Sequence, residues 1–109
     1  MKINFKYLNE FFEINFCFYS SFFCLTTFSS CVNLSDISLS ENLKTMGDWL
    51  FADCVALKDL KLPEKLEKIG YGTFNNCPEL KSIIIPASVK YIEPYAFMNW
   101  DCTKTIYCR

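Results

Sequence analysis

The stretch Leu66–Ser88, LEKIGYGTFNNCPELKSIIIPAS, decides the fold, because its apolar positions recur in the sequence on either side. The stretch before it, Leu43–Lys65, reads LKTMGDWLFADCVALKDLKLPEK, and the stretch after it, Val89–Arg109, reads VKYIEPYAFMNWDCTKTIYCR. The three align without gaps at a 23-residue period, and self-similarity at a fixed period is typical of repeat architectures. We call each set of equivalent positions a column. The apolar columns are Met46, Ile69 and Ile92; Phe51, Phe74 and Phe97; Leu60, Ile83 and Ile106; and Leu62, Ile85 and Cys108.

The same columns continue toward the N terminus. One period back, the chain has Phe23, Phe28, Cys31, Leu34, Ile37 and Leu39, and a further period back it has Phe5, Leu8, Phe11, Ile14 and Phe16. The pattern therefore predicts an array over residues 20–109, with units at about 20–42, 43–65, 66–88 and 89–109. Residues 1–19 are interpreted as a degenerate N-terminal repeat or as a signal-like segment.

Each unit contains one strand signal and one turn signal. The strand signal is the pattern Leu80-x-x-Ile83-x-Ile85-Pro86. Ile83 and Ile85 are two residues apart, so in a strand they point to the same side, as expected for a short strand buried on one face. Pro86 suits the end of that strand because it has no N–H to donate. Gly70, Gly72 and the pair Glu93-Pro94 indicate a turn or a short helical return arc. Because one strand and one arc cannot close a core, we expect the units to stack into a solenoid of parallel strands.

The pattern L-x-x-I-x-I-P-x-S-V-x-x-I-x-x-x-A-F-x-x-C resembles the BspA-like class of leucine-rich repeats. The residues that carry the resemblance are Leu80, Ile83, Ile85, Pro86, Ser88, Val89, Ile92, Ala96 and Phe97, with Gly70, Phe74 and Cys77. The chain departs from the pattern at Trp100, where a Cys is expected, and at Thr103, where a Leu is expected. The resemblance implies a non-enzymatic leucine-rich repeat solenoid at the cell surface or secreted, of the adhesion type found in bacteria and protists. It also implies a host or matrix protein as the partner.

Composition excludes several functions. The 109 residues contain no histidine, which excludes Ser-His-Asp and Cys-His catalysis and any metal site that needs imidazole. The net charge is −1, from 11 Lys and Arg against 12 Asp and Glu, whereas non-specific nucleic-acid binding needs a cationic excess. No phosphate-binding glycine loop and no convergent pair of acids is visible. We therefore expect no catalytic residue, no cofactor, no metal and no nucleic-acid partner.

The seven cysteines admit two interpretations. Cys31, Cys54 and Cys77 form a column, and equivalent positions of stacked strands lie ~5 Å apart, so disulfides between them are not excluded by distance. No C-x-x-C pair occurs, which argues against zinc. The favoured interpretation is a column of small buried thiols behind the Phe column. Cys102 and Cys108 are the best candidates for a disulfide, with free thiols as the alternative.

The run Ile14–Ser35 contains 22 residues without a charge. Its length and the nearby Lys2 and Lys6 favour a signal peptide or a membrane anchor. Against this, Glu10 and Glu13 precede it, nine of its residues are Ser, Thr or Asn, and its apolar residues fall in the repeat columns. The run is therefore interpreted as a degenerate repeat, a signal peptide or anchor, or a disordered segment. Whether the chain associates with a membrane depends on which of these is correct.

The outward-facing strand residues are the candidate binding surface, since parallel strands line one face of a solenoid. We call this surface the strand face and define it by Lys58, Lys61, Lys81, Ile84, Lys104 and Tyr107. The column Lys58, Lys81 and Lys104 suits an acidic partner, or is simply solvated. The sequence thus predicts a protein-binding module; the alternative is a structural fragment of a longer array without binding activity of its own.

Overall fold

The computed structural model describes the backbone of Lys2–Asn4 together with residues 28–109. Over these residues the chain forms short strands joined by turns, and it contains no helix. The strands are β1 (Lys2–Asn4), β2 (Asp36–Ser38), β3 (Thr45–Met46), β4 (Lys68–Ile69), β5 (Ser82–Ile85), β6 (Tyr91–Ile92) and β7 (Thr105–Cys108). The return arcs of the repeat are therefore turns, and the helical alternative for them is wrong in the described region.

All strand pairs among the described residues are parallel, which confirms the predicted parallel pairing. The ladders are β1–β2, β3–β4–β6 and β5–β7. In the last two, partners lie one repeat period apart, as in Met46 opposite Ile69, Ile69 opposite Ile92, and Ile83 opposite Ile106. The ladder β3–β4–β6 was not predicted as a sheet, because two-residue strands are too short to show a period in the sequence.

β1 departs from the predicted register. Ile3 lies opposite Ile37, a place that the alignment of the repeats gives to Ile14. Residues 5–27 lie outside the described residues, so the assignment of 1–19 and the interpretation of Ile14–Ser35 remain predictions. In the part of the chain that is described, no helix is long and apolar enough to cross a membrane.

The Phe column forms the spine of the core. Phe28, Phe51 and Phe74 are buried and stack in parallel, with ring centroids 5.7 and 5.9 Å apart. Phe97 continues the stack at 5.5 Å but is only half-buried. Because each ring covers the next, burial of the column depends on a neighbour on both sides.

The Cys column is a row of hydrogen-bond donors behind that spine. Cys54 Sγ donates to Phe28 O at 3.0 Å, and Cys77 Sγ donates to Phe51 O at 3.2 Å. Trp100 stands at the next position, and its Nε1 donates to Phe74 O at 2.9 Å. Both thiols are free and fully buried, and burial raises the pKa of Cys54 and of Cys77 to about 12. This confirms the interpretation as buried thiols for Cys54 and Cys77, whereas Cys31 in the same column is only half-buried.

The turns are held by backbone conformations that recur with the repeat. Trp49, Gly72 and Tyr95 occupy one column, with φ of 58°, 60° and 60°. Glycine is needed at position 72 because a Cβ there would overlap the Trp49 ring. A side chain is also excluded at position 70, since a Cβ on Gly70 would lie 2.6 Å from Met46 O. The turns therefore pack directly against those of the preceding unit.

The last unit differs from the predicted burial. Ile92 is 47% exposed and Ile106 is 41% exposed, although Ile69 and Ile83 in the same columns are buried. All four residues of β7 are exposed, because no described residue packs on their outer side. Cys102 and Cys108 are also exposed, and both are free thiols, so the disulfide considered for this pair is not formed.

Candidate functional site

The strand face carries an exposed apolar pair. β5 alternates as predicted, with Ile83 and Ile85 buried and Ser82 and Ile84 exposed. Ile84 lies directly opposite Tyr107 in the β5–β7 ladder, and the two are 46% and 55% exposed. Neighbouring strands are ~5 Å apart, so these side chains form one contiguous apolar surface. The structure thus makes Ile84 and Tyr107, both predicted residues of the strand face, direct neighbours.

The lysine column is not a uniform row of open charges. Lys58 and Lys81 are exposed, as is Lys61 in the neighbouring column, whereas Lys104 is half-buried. Lys104 Nζ donates to the carbonyls of Cys77, Pro78 and Leu80 at 2.9, 2.9 and 2.8 Å.

These three hydrogen bonds give Lys104 a structural role. Its ammonium lies 5.0 Å from the Trp100 ring centroid, a favourable cation–π distance. Burial, followed by the charge of Lys81, lowers the pKa of Lys104. Lys81 Nζ also donates to Pro78 O, at 2.9 Å. Lys104 therefore connects the last unit to the preceding turn, whereas Lys58 and Lys61 are exposed.

A groove of about 480 Å³ opens beside the exposed pair. Lys61 and Ile84 are the predicted residues that line it, and the other four do not. Its remaining walls come from three successive strand segments and from the end of the chain: Asp36, Ile37, Asp59, Leu60, Leu62, Glu64, Ser82, Ile83, Pro86 and Arg109. Arg109 Nη1 pairs with Glu64 Oε1 at 2.8 Å. The two residues are 45 apart in the sequence, so no local sequence pattern predicts this ion pair.

The groove coincides with a break in parallel pairing. β5 pairs with β7 over four residues, whereas residue 59 pairs with β2 through one bridge only, Asp36 to Asp59. The segment 59–62 is not paired with β5. Apart from the bonds of that bridge, no backbone hydrogen bond of Leu60, Lys61 or Leu62 is found within residues 28–109. The strand face is therefore continuous on the β5–β7 side and open between 59–62 and β5.

Carboxylates of the turns are engaged in structural contacts. Asp48 Oδ1 accepts a hydrogen bond from the Tyr71 N–H at 2.8 Å, and Asp53 Oδ1 accepts one from Asn76 Nδ2 at 2.8 Å. Glu93 pairs with Lys68 at 3.2 Å. Each contact joins neighbouring units. In the described region, no three His, Cys, Asp or Glu side chains are placed to hold a metal ion.

The comparisons place the repeat in a known group. The sequence model described as "BspA type Leucine rich repeat region" matches residues 4–108, in six copies. No curated protein and no solved structure matches the chain.

Proposed function

The chain belongs to the BspA-type leucine-rich repeat family, and from this we propose that it is a repeat solenoid that binds a protein partner through its strand face. Proteins of this family are typically non-enzymatic. The binding mechanism is surface complementarity, with no chemical step. We also propose a host or matrix protein as the partner and the cell surface or the extracellular space as the location, because the family resemblance favours both.

Three features support a solenoid built on the period of the sequence. Strand partners are one repeat period apart in the ladders β3–β4–β6 and β5–β7. The Phe rings stack along the same axis at 5.5 to 5.9 Å. Cys54, Cys77 and Trp100 each donate to a carbonyl 26 residues earlier. Repeats that contact only their neighbours in this way form quasi-one-dimensional arrays.

The exposed pair of Ile84 and Tyr107 is the observation that carries the binding proposal. Both side chains project from the same four-residue parallel ladder, so they share one surface. Tyrosine is favoured at the energetic centres of interfaces, where it buries a large area at little entropic cost. Lys58 and Lys61 lie on the same face and supply the polar rim.

The test is binding of the purified chain to a panel of immobilised extracellular matrix proteins, measured by surface plasmon resonance. The double variant Ile84→Asp/Tyr107→Asp should weaken binding at least about tenfold, as loss of a central anchor does. The matched control is Tyr91→Asp, because Tyr91 is also exposed but lies on β6 in the other ladder. Equal affinities for the two variants would contradict a strand-face site.

The structural alternative has an observation of its own. Ile92, Met98 and Ile106 are all exposed in the last unit, and exposed apolar patches are commonly covered by further polypeptide. If the chain serves only to extend a longer array, it should associate through this end. Light scattering with size-exclusion chromatography at micromolar concentration distinguishes the two, since a folded monomer that binds a matrix protein supports the binding module.

A further inference from the structure

We propose that the groove between residues 59–62 and β5 takes up an extended segment of the partner polypeptide, which pairs with the backbone of Leu60–Leu62. This inference rests on the proposed function. It adds that the partner binds as an extended segment, and that this segment lies in the groove. Residues of both segments line the groove.

The unpaired backbone is the first argument. Beyond the Asp36–Asp59 bridge, Leu60, Lys61 and Leu62 make no backbone hydrogen bond to the rest of residues 28–109, yet Leu62 itself is buried. Backbone N–H and C=O groups are nearly always paired in folded proteins, with protein or with water. An unpaired edge is the feature that an incoming strand uses when it extends a sheet. A peptide chain supplies both the donors and the acceptors that this edge lacks.

The size and the lining of the groove are the second argument. Its volume of about 480 Å³ falls within the ~300–1,000 Å³ range of sites that enclose a ligand. Ile37, Leu62 and Ile83 line it, although their side chains are buried in the core. Apolar residues therefore contribute to the walls of the groove. Such walls favour an aliphatic side chain projecting from the bound segment.

The charges at the groove's two ends are the third argument. Asp59 is exposed at the start of the segment, beside Asp36. Arg109 lies at the far end, where its N–H donates to Ile85 O. The pair between Arg109 and Glu64 is more than half exposed on both sides, and such pairs contribute little, so Arg109 can exchange Glu64 for a ligand carboxylate. A segment with a basic residue at one end and an acidic residue at the other fits these charges.

The probe is a pair of labelled heptapeptides, Lys-Val-Thr-Val-Thr-Val-Glu and its reverse, with binding measured by fluorescence anisotropy. One order should bind the chain, and N-methylation of its three central residues should weaken binding at least about tenfold, because it removes backbone donors and keeps the side chains. Amide exchange followed by NMR on the ¹⁵N-labelled full chain should slow at Leu60–Leu62 when the peptide is bound.

Matched protein variants locate the peptide. Ile84→Asp should abolish binding because Ile84 lines the groove, whereas Ile106→Asp should leave it unchanged. Both residues are exposed isoleucines of the β5–β7 ladder, and the free-state amide spectrum checks that each variant is folded. Binding of neither peptide, equal binding of the N-methylated form, or unchanged exchange at Leu60–Leu62 in the complex overturns the proposal.

The outcomes also separate this proposal from the previous one. A matrix protein that needs Ile84 and Tyr107 but leaves exchange at Leu60–Leu62 unchanged removes the groove proposal and keeps the strand-face site. Peptide binding in the groove, combined with equal affinity of Ile84→Asp/Tyr107→Asp and Tyr91→Asp for the matrix protein, removes the strand-face site and keeps the groove.

Discussion

Cys and Trp side chains donate the same hydrogen bond at equivalent positions behind the Phe column. Cys54 and Cys77 are small donors within the array, and the larger Trp100 takes the equivalent position in the last unit. Trp100 also packs edge-on against Phe97, with ring centroids 4.9 Å apart. An indole has room there because Phe97 and Trp100 are only half-buried. Trp100 thus replaces the Cys of the repeat pattern but keeps its hydrogen bond, and it also covers part of the half-buried Phe97 ring.

Trp100→Phe separates the hydrogen bond from the ring. The variant keeps an aromatic ring against Phe97 and Lys104 but removes the donor to Phe74 O, so we expect it to lower the free energy of unfolding by about 1 kcal/mol. Trp49→Phe is the control, since the Trp49 indole donates no hydrogen bond within residues 28–109 and it should cost less. Urea unfolding measures both; an equal loss in the two variants would show that the Trp100 N–H contributes nothing.

The buried thiols predict a loss of stability in alkali. Burial raises the pKa of Cys54 and Cys77 from 9.0 to about 12. Above pH 9 the unfolded chain releases these protons while the folded chain retains them, so the free energy of unfolding should fall between pH 9 and about 12. Cys54→Ala/Cys77→Ala should show a shallower fall, measured by urea unfolding under reducing conditions. Parallel curves for the two proteins would contradict a raised thiol pKa.

At the scale of the element, each turn is fitted to the turn before it. Trp49 packs over Gly72 and contacts Tyr71, which in turn contacts Tyr95, at centroid distances of 5.3 and 5.1 Å. Trp49 and Tyr95 adopt positive φ in the same column where Gly72 does. The column therefore accepts a side chain in that conformation, and it is the Trp49 ring that requires glycine at 72.

A double-mutant cycle tests that explanation. Gly72→Ala should destabilise the chain by about 1–3 kcal/mol, because it overpacks the site against the Trp49 ring. In a Trp49→Ala background the same change should cost clearly less, since the overlapping ring is gone and only the left-handed backbone remains unfavourable. Thermal or urea unfolding of the four proteins gives the coupling free energy. Additive effects would place the strain in the backbone alone.

The columns of the repeat could be predicted from the sequence, since they depend only on which residues recur. Phe51, Phe74 and Cys77 are buried where the period places them, and Ile83 alternates with Ile84 as a strand requires. The ladder β3–β4–β6 could not be predicted, because a two-residue strand has no periodicity and its pairing is a consequence of stacking.

The candidate site was predictable only in part, because it depends on contacts between distant residues. Ile84 and Tyr107 follow from strand parity. Lys104 occupies the predicted column, but its ammonium turns to three carbonyls of the preceding turn, and a column cannot show the direction of a long flexible side chain. The groove arises where one ladder fails to form, which is a property of two segments and not of either sequence.

At the scale of the whole molecule, burial varies along the array. Equivalent residues are enclosed in unit 66–88 and open in unit 89–109: Ile83 is 2% exposed and Ile106 is 41% exposed. In a stack where units contact only their neighbours, stability is a sum of unit and interface contributions. Because fewer of its side chains are buried, unit 89–109 is expected to open at a lower free energy than unit 66–88.

Matched substitutions in one column measure that difference directly. Ile83→Ala should lower the free energy of unfolding by about 2–5 kcal/mol, because it leaves a cavity in the core. Ile106→Ala, in the strand paired with it, should cost less than about 1 kcal/mol, since its side chain is already in contact with solvent. Urea unfolding of the two variants gives the comparison.

Native-state hydrogen exchange extends the test without any substitution. The amide of Phe74 bonds to Ala96 O within the covered part of the array, whereas that of Thr105 bonds to Lys81 O at its open side. Regions with fewer buried contacts open at lower free energy, so Thr105 should exchange faster than Phe74 by a factor that shrinks as urea promotes global unfolding. Equal protection of the two amides would mean that the stack opens as one cooperative unit, and that interfaces between units contribute far more than the units themselves.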